Sequence, residues 1–252
     1  MADAEPRNLR RSLQLISVAG CLAMVYMTAI GSPATTEFFR TIGAREIHFG
    51  ILSGLPMALL SLQFVGALLA NRLPRRKTLF MVLLIIGRLN YLCIAFIPIL
   101  FPDLPTGLLM AIIVGALAVT SALHNMVTPL WLSWMGDLIP RRRINSYWGQ
   151  RHVWMQGTWM ACYLTIGATV FFHDIPIRTF FPLLVTIGVA AGVIDILLFL
   201  KVDEPPNHMI KGQPIFKILT APLRHPEFRS FVRFNCYWSV CVMMTAMFMQ
   251  LY

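Results

Sequence analysis

The chain has 252 residues, of which 57% are hydrophobic and only 13% are charged. Soluble domains carry about 25% charged residues, so this composition excludes an ordinary water-soluble domain and indicates a membrane protein. The net charge of +10 lies in short clusters between apolar runs, which excludes the basic face that nucleic-acid binding requires. The five cysteines fall inside apolar runs without a CxxC spacing, so neither a zinc site nor a disulfide framework is indicated.

Seven apolar segments are long enough to cross a bilayer core about 30 Å thick as helices. In chain order these predicted spans are residues 13–32, 47–70, 78–101, 106–134, 153–172, 179–200 and 231–252. The predicted organisation is an N-terminal segment 1–12, a six-helix bundle 13–200, a loop 201–230 and a seventh helix 231–252. Because the chain ends within its last span, we expect it to be truncated from a longer protein.

Lys and Arg residues are unequally divided between the two sides of these spans. The N-terminal segment and the loops after spans two, four and six carry 16 of them, whereas the loops on the other side carry 3. Basic loops remain on the cytoplasmic side of a membrane. We therefore predict a multi-pass protein of the cell (inner) membrane with a cytoplasmic N-terminus.

Two of the basic loops carry a recognisable pattern. The first, GALLANRLPRRK, contains the candidate gating residues Gly66, Asn71, Arg72, Arg75, Arg76 and Lys77. The second, PLWLSWMGDLIPRRRINSYWGQR, contains Asp137, Arg143 and Arg151. In place and pattern both loops resemble the signature loops of the major facilitator superfamily of transporters. Asn71 departs from that signature, which has Asp there. The alternative to a gating role is that the basic residues only set the orientation of the protein in the membrane.

This resemblance implies an all-α membrane fold, namely the six-helix N-terminal bundle of a twelve-helix transporter followed by its seventh helix. It implies secondary active transport of a small solute by alternating access, with a proton or a sodium ion as the candidate coupling ion. The implied partners are the solute, the lipid bilayer and a missing C-terminal half, and no cofactor is expected. The alternative function is a membrane assembly subunit that does not transport by itself.

Polar side chains inside the spans predict where a cavity lies, because lipid offers them no hydrogen-bond partner. The superfamily fold lines its cavity with spans one and four, and it places spans two and five between the two halves. The candidates that share helix faces in spans one, four and five are Ser17, Cys21, Thr28, Thr120, Ser121, His124, Asn125, Thr128, Gln156 and Trp159. The alternative is that small and polar residues only allow close helix packing.

Two charged residues, Arg88 and Asp195, fall inside the predicted spans. Burial of a charge in a bilayer is costly, so each needs a partner. They form an ion pair if spans three and six are neighbours, and otherwise one of them contacts protons or an anionic solute. The sequence contains no HExxH, GxSxG or GxGxxG motif, which argues against an enzyme.

Overall fold

The computed structural model describes residues 7–172, 175–207 and 224–249, and in this part of the chain it is all-helical, without strands. The all-α prediction is therefore confirmed there. Short 3-10 turns occupy Leu59–Ser61 and Phe199–Lys201. The α-helices of the described residues are α1 (Arg7–Gly31), α2 (Pro33–Thr41), α3 (Glu46–Ala58), α4 (Leu62–Arg72), α5 (Lys77–Leu100), α6 (Thr106–Leu138), α7 (Ile144–Phe172), α8 (Ile177–Leu198) and α9 (Pro226–Met249).

Five helical stretches in the described residues are long and apolar enough to cross a membrane. They are α1 with α2, α3 with α4, α5, α6, and α8 with its following turn, and they contain predicted spans one, two, three, four and six. Predicted spans five and seven fall in α7 and α9, which are less apolar helices, and they stay predictions. The fold is compatible with a membrane-embedded protein.

The helix boundaries differ from the predicted spans in several places. Helix α1 begins at Arg7, within the predicted N-terminal segment, and α7 begins at Ile144, nine residues before predicted span five. A helix can extend through charged residues, whereas a span predicted from hydropathy ends at the first of them. Pro33 starts a separate helix, as proline does at a first helical position. Pro56 precedes the 3-10 turn that divides span two. Most of the predicted loop 201–230 lies outside the described residues.

The described residues up to Asn207 form one compact unit, and α9 belongs to a second unit. In the first unit α1 packs against α7 and α8, α6 packs against α3, α4 and α5, and α5 packs against α8. In terms of the predicted spans, the contacting pairs are one with five, one with six, two with four, three with four, and three with six. If spans one, two and three exchange places with spans four, five and six, the same five pairs result. Such a set of contacts is typical of two internal repeats of three helices each.

Buried aromatic side chains pack at both ends of this unit. Phe38 of α2 stacks on Phe181 of α8, with ring centroids 4.3 Å apart. At the other end Phe80, Trp134 and Phe199 contact one another edge-on or at a tilt. We call this second end, where α6 and α8 finish and α5 begins, the basic end. The remaining space between the two clusters holds the candidate functional site.

Candidate functional site

A cavity of about 300 Å³ lies among α1, α3, α5 and α6. Its walls are mainly apolar, and most of its polar groups come from α6. Ligand sites are commonly apolar concave spaces with a few convergent polar groups, so this cavity is the candidate functional site. The residues that surround it include Tyr26, Met27, Ile30, Pro56, Met57, Arg88, Tyr91, Leu117, Thr120, Ser121, His124 and Asn125.

The amide of Asn125 connects α6 to the broken second span. Its nitrogen donates to the carbonyl oxygen of Pro56 at 3.4 Å, and its oxygen accepts from the Gln63 amide at 3.3 Å. This contact depends on a close approach of the two helices at Gly66, where a Cβ would overlap the carbonyl oxygen of Met126. Gly66 was predicted as part of the gating loop, but the structure shows that it also allows α4 and α6 to pack closely.

Thr120 is held by helix packing on the opposite side of the cavity. Its hydroxyl donates to the carbonyl oxygen of Gly87 at 3.3 Å and accepts from the Asn90 amide at 2.9 Å. Asn90 also donates to the carbonyl oxygen of Ala116 at 2.7 Å. His124 is the most exposed of the five predicted α6 residues, and its ring makes no hydrogen bond with the described residues. Its imidazole is therefore available to a solute.

Arg88 lies on the cavity wall and forms a buried ion pair across α5 and α8. Its Nη2 is 3.2 Å from Oδ2 of Asp195, and its guanidinium carbon is 3.6 Å from the ring centroid of Tyr26. A Cβ at Gly192 would lie 3.1 Å from Cδ of Arg88, so this glycine leaves room for the arginine stem. The structure thus brings the two predicted intramembrane charges together, and Tyr26 adds a cation–π contact.

A second polar cluster lies at the basic end. Arg76 is fully buried, with Nη2 at 2.7 Å from Oδ2 of Asp137 and Nη1 donating to Ser133 Oγ at 2.6 Å. The carboxylate of Glu204 accepts from the backbone N–H groups of Arg76 and Lys77. These two groups begin α5, where a carboxylate also interacts favourably with the helix dipole. The Lys77 ammonium donates to the carbonyl oxygens of Leu200 and Val202 at 2.8 and 2.9 Å. This cluster joins α5 and α6 to the segment after α8.

Arg151 of α7 is half-buried against α1 and two tryptophan rings. Its guanidinium carbon is 5.2 Å from the Trp131 ring centroid and 5.3 Å from that of Trp148. Next to it the Ser17 hydroxyl donates to the Tyr147 hydroxyl at 3.4 Å, which in turn donates to the Leu13 carbonyl oxygen at 3.0 Å. These bonds attach the start of α7 to α1.

The structure separates the predicted cavity residues into two groups. Four of them, Thr120, Ser121, His124 and Asn125, surround the cavity. The residues outside its lining are Ser17, Cys21, Thr28, Thr128, Gln156 and Trp159. Within the second group the hydroxyls of Thr28 and Thr128 donate to the carbonyl oxygen four residues earlier, at 2.7 and 3.0 Å. Gln156 and Trp159 are exposed on α7.

The predicted gating residues likewise differ in their surroundings. Arg76, Lys77 and Asp137 join the cluster at the basic end, and Arg151 lies apart from it. Among the others, Asn71 is half-buried, whereas Arg72, Arg75 and Arg143 are exposed.

Sequence reasoning missed several residues of these sites. Tyr26, Met57 and Tyr91 line the cavity but follow no polar pattern, so apolar periodicity alone could not single them out. Glu204 could have been found, because it is an acidic residue close to the end of an apolar span, in a loop whose charges are mainly basic. The described residues include no cluster of His, Cys, Asp or Glu that could hold a metal ion.

No protein-family model, curated protein or solved structure gives a significant match to this chain. The resemblance to the major facilitator superfamily therefore rests on the loop residues themselves.

Proposed function

We propose that the chain is the N-terminal part of a secondary active transporter of the major facilitator superfamily, which moves a small solute by alternating access. The observation that carries this proposal is the helix packing, because the contacts map onto themselves when the first three spans are exchanged for the next three. Repeats of this kind are frequent in secondary transporters, whose solute sites lie near the middle of the membrane.

The cavity supports the same proposal. It lies between α1 and α6, which hold spans one and four, and these are the spans that line the central cavity of the superfamily. Ser121, His124 and Asn125 offer hydroxyl, imidazole and amide groups to a polar part of the solute, whereas Tyr26 and Met57 contact an apolar part. The cluster around Arg76 holds the basic end together as one body, which movement of whole half-bundles requires.

Solute flux through the protein in liposomes tests this proposal. The complete protein, of which this chain is the proposed N-terminal part, is purified from its native membrane, reconstituted, and supplied with a mixed metabolite extract whose depletion is followed by mass spectrometry. Met57→Trp places a large ring on the cavity wall at a side chain that is 59% exposed. Leu183→Trp is the matched control, since that side chain is 57% exposed on α8 and does not line the cavity.

We expect at least one solute to move with the unchanged protein and with Leu183→Trp, and Met57→Trp to remove most of this flux. Equal flux in the two tryptophan variants would show that the cavity is not the transport route. If no solute moves in any liposome, the result favours the alternative, a membrane assembly subunit that does not transport.

A further inference from the structure

The surroundings of the half-buried Arg151 differ from those of the two buried arginines. Arg76 faces the Asp137 carboxylate, and Arg88 faces Asp195. Within the described residues Arg151 forms no ion pair and no hydrogen bond; its Nε is buried without a hydrogen-bond partner, as are the Nε atoms of Arg76 and Arg88. Its contacts are the two tryptophan rings and α1, where a Cβ at Gly20 would lie 2.8 Å from Nη2.

The interior of the unit consequently holds an excess of positive charge. Asp195 is the acidic side chain whose charge reaches Arg151, but it already contacts Arg88. Burial lowers the pKa of the Arg151 guanidinium, which reflects a cation partly removed from water. A desolvated cation without a counter-charge is costly, so an anion that arrives at this position is stabilised there.

We infer that Arg151 binds the negatively charged group of the solute, and that the solute is an organic anion with a carboxylate. This inference rests on the proposed transport function. The planar guanidinium can donate two parallel hydrogen bonds to a carboxylate, and the rings of Trp131 and Trp148 restrict its orientation. The bound anion would supply the counter-charge that this part of the chain lacks.

The position of Arg151 relative to the cavity is consistent with a role in solute access. Along α1 it lies beside Gly20, whereas Tyr26 belongs to the cavity wall, a separation of six residues or about 9 Å at 1.5 Å per residue. Arg151 is not part of the cavity lining, so the proposed carboxylate site lies beside the cavity, toward the N-terminal end of α1. Arg88, which is paired with Asp195, is the cation on the cavity wall itself.

An anionic lipid headgroup offers the same oxyanion chemistry as a carboxylate solute. The test therefore uses nanodiscs of pure phosphatidylcholine and nanodiscs that also contain phosphatidylglycerol. The probes are sodium benzoate and its neutral analogue benzamide at equal concentrations, and the readout is the melting temperature of the protein. Arg151→Gln removes the cation and Arg151→Lys keeps it. Arg141→Gln is the matched control, because Arg141 is exposed in the loop before α7.

In phosphatidylcholine we expect benzoate, but not benzamide, to raise the melting temperature of the unchanged protein and of Arg141→Gln. Arg151→Gln should weaken benzoate binding about tenfold or more, and Arg151→Lys should weaken it less. Equal responses to benzoate and benzamide, or an unchanged benzoate response in Arg151→Gln, would overturn the inference. Stabilisation by phosphatidylglycerol that requires Arg151, with no response to benzoate, would assign the anion to the lipid and also overturn it.

These outcomes are separable from those of the flux experiment. Benzoate binding that requires Arg151, in a protein that moves no solute, would keep this site and remove the transport function. Flux of neutral solutes through a protein that does not respond to benzoate would keep the transport function and remove this site.

Discussion

The basic end and the middle of the bundle hold their buried arginines differently. At the basic end Arg76 has an ion pair of 2.7 Å and a hydrogen bond of 2.6 Å to Ser133. In the middle Arg88 has one polar contact of 3.2 Å and a tyrosine ring, and the half-buried Arg151 contacts α1 and two tryptophan rings. The carboxylate and hydroxyl contacts of Arg76 are shorter than the contacts of Arg88 and Arg151, and so they fix its position more firmly. We therefore predict that the first region serves mainly stability, whereas the second, which we call the recognition region, also contacts the solute.

The largest effect on folding is expected at Gly66, because the α4–α6 approach supports both regions. Gly66→Ala places a methyl group against the backbone of Met126, which cannot move without shifting α6. Overpacking that side chains can relieve costs about 1–3 kcal/mol. Here the overlap is with backbone atoms of α6, so we expect a greater cost and little folded protein. Gly54→Ala is the control, because a Cβ there meets nothing within 4 Å. Yields of monodisperse protein after purification measure the difference, and equal yields would refute the close approach.

The second largest effect is expected when the carboxylate of the middle region is removed. Asp195→Asn leaves Arg88 buried without its acid, and stranding one member of a buried pair costs about 3–5 kcal/mol. The double variant Arg88→Met with Asp195→Leu should recover much of this loss, since an apolar pair can replace a buried ion pair. Unfolding in denaturing detergent measures the free energy of each variant.

Flux per folded molecule distinguishes a structural role of this pair from a role in transport. If Arg88 contacts the solute, the double variant folds but transports poorly. Unchanged flux per folded molecule in that variant would assign the pair to stability alone and would remove Arg88 from the recognition region.

A smaller effect is expected for the ion pair of the basic end. Asp137→Asn removes the carboxylate that faces Arg76, but the Asp137 side chain is 34% exposed and Ser133 remains as an acceptor. We therefore expect a loss of about 1–2 kcal/mol in the free energy of unfolding, below the value for a fully buried pair. A loss as large as that of Asp195→Asn would contradict the difference between the two regions.

The smallest effect is expected at the start of α5. Glu204→Gln replaces the carboxylate that accepts from two backbone N–H groups there with a neutral amide. Loss of such a cap costs about 1 kcal/mol. Asp203→Asn is the neighbouring control, because the contact of Asp203 with Trp134 uses its backbone carbonyl and survives the change. Melting temperatures of the two variants measure the cap, and equal values would show that Glu204 does not cap α5.

The helices of the fold could largely be predicted from the sequence, because long apolar runs leave helix as the structure that satisfies their backbone groups in lipid. The division of the second span at Leu59–Ser61 could not, since a proline in a membrane helix has several structural outcomes. Pro33 directly after Ser32 was the available signal for a separate α2, as a residue pair typical of a helix start.

The candidate site could be predicted only in part. The polar stripe on α6 located four residues of the cavity, because polar side chains avoid lipid. Sequence alone left Arg75 and Arg76 equivalent, and only tertiary packing makes Arg76 buried and Arg75 exposed. Nor could the sequence show that Arg151 has no ion-pair partner among the described residues, since ion pairing depends on which helices are neighbours.

The ion pair between Arg88 and Asp195 also has a consequence for biosynthesis. The two residues are 107 positions apart in the chain, and α8 is made after α5. At the usual speed of translation of about 5–20 residues per second, roughly 5–20 s pass before the ribosome has added Asp195. During this delay Tyr26, which is already synthesised, is the cation–π partner available to Arg88. If these helices span a membrane as predicted, the third span enters it with an unneutralised charge, and we expect its stable insertion to await the sixth.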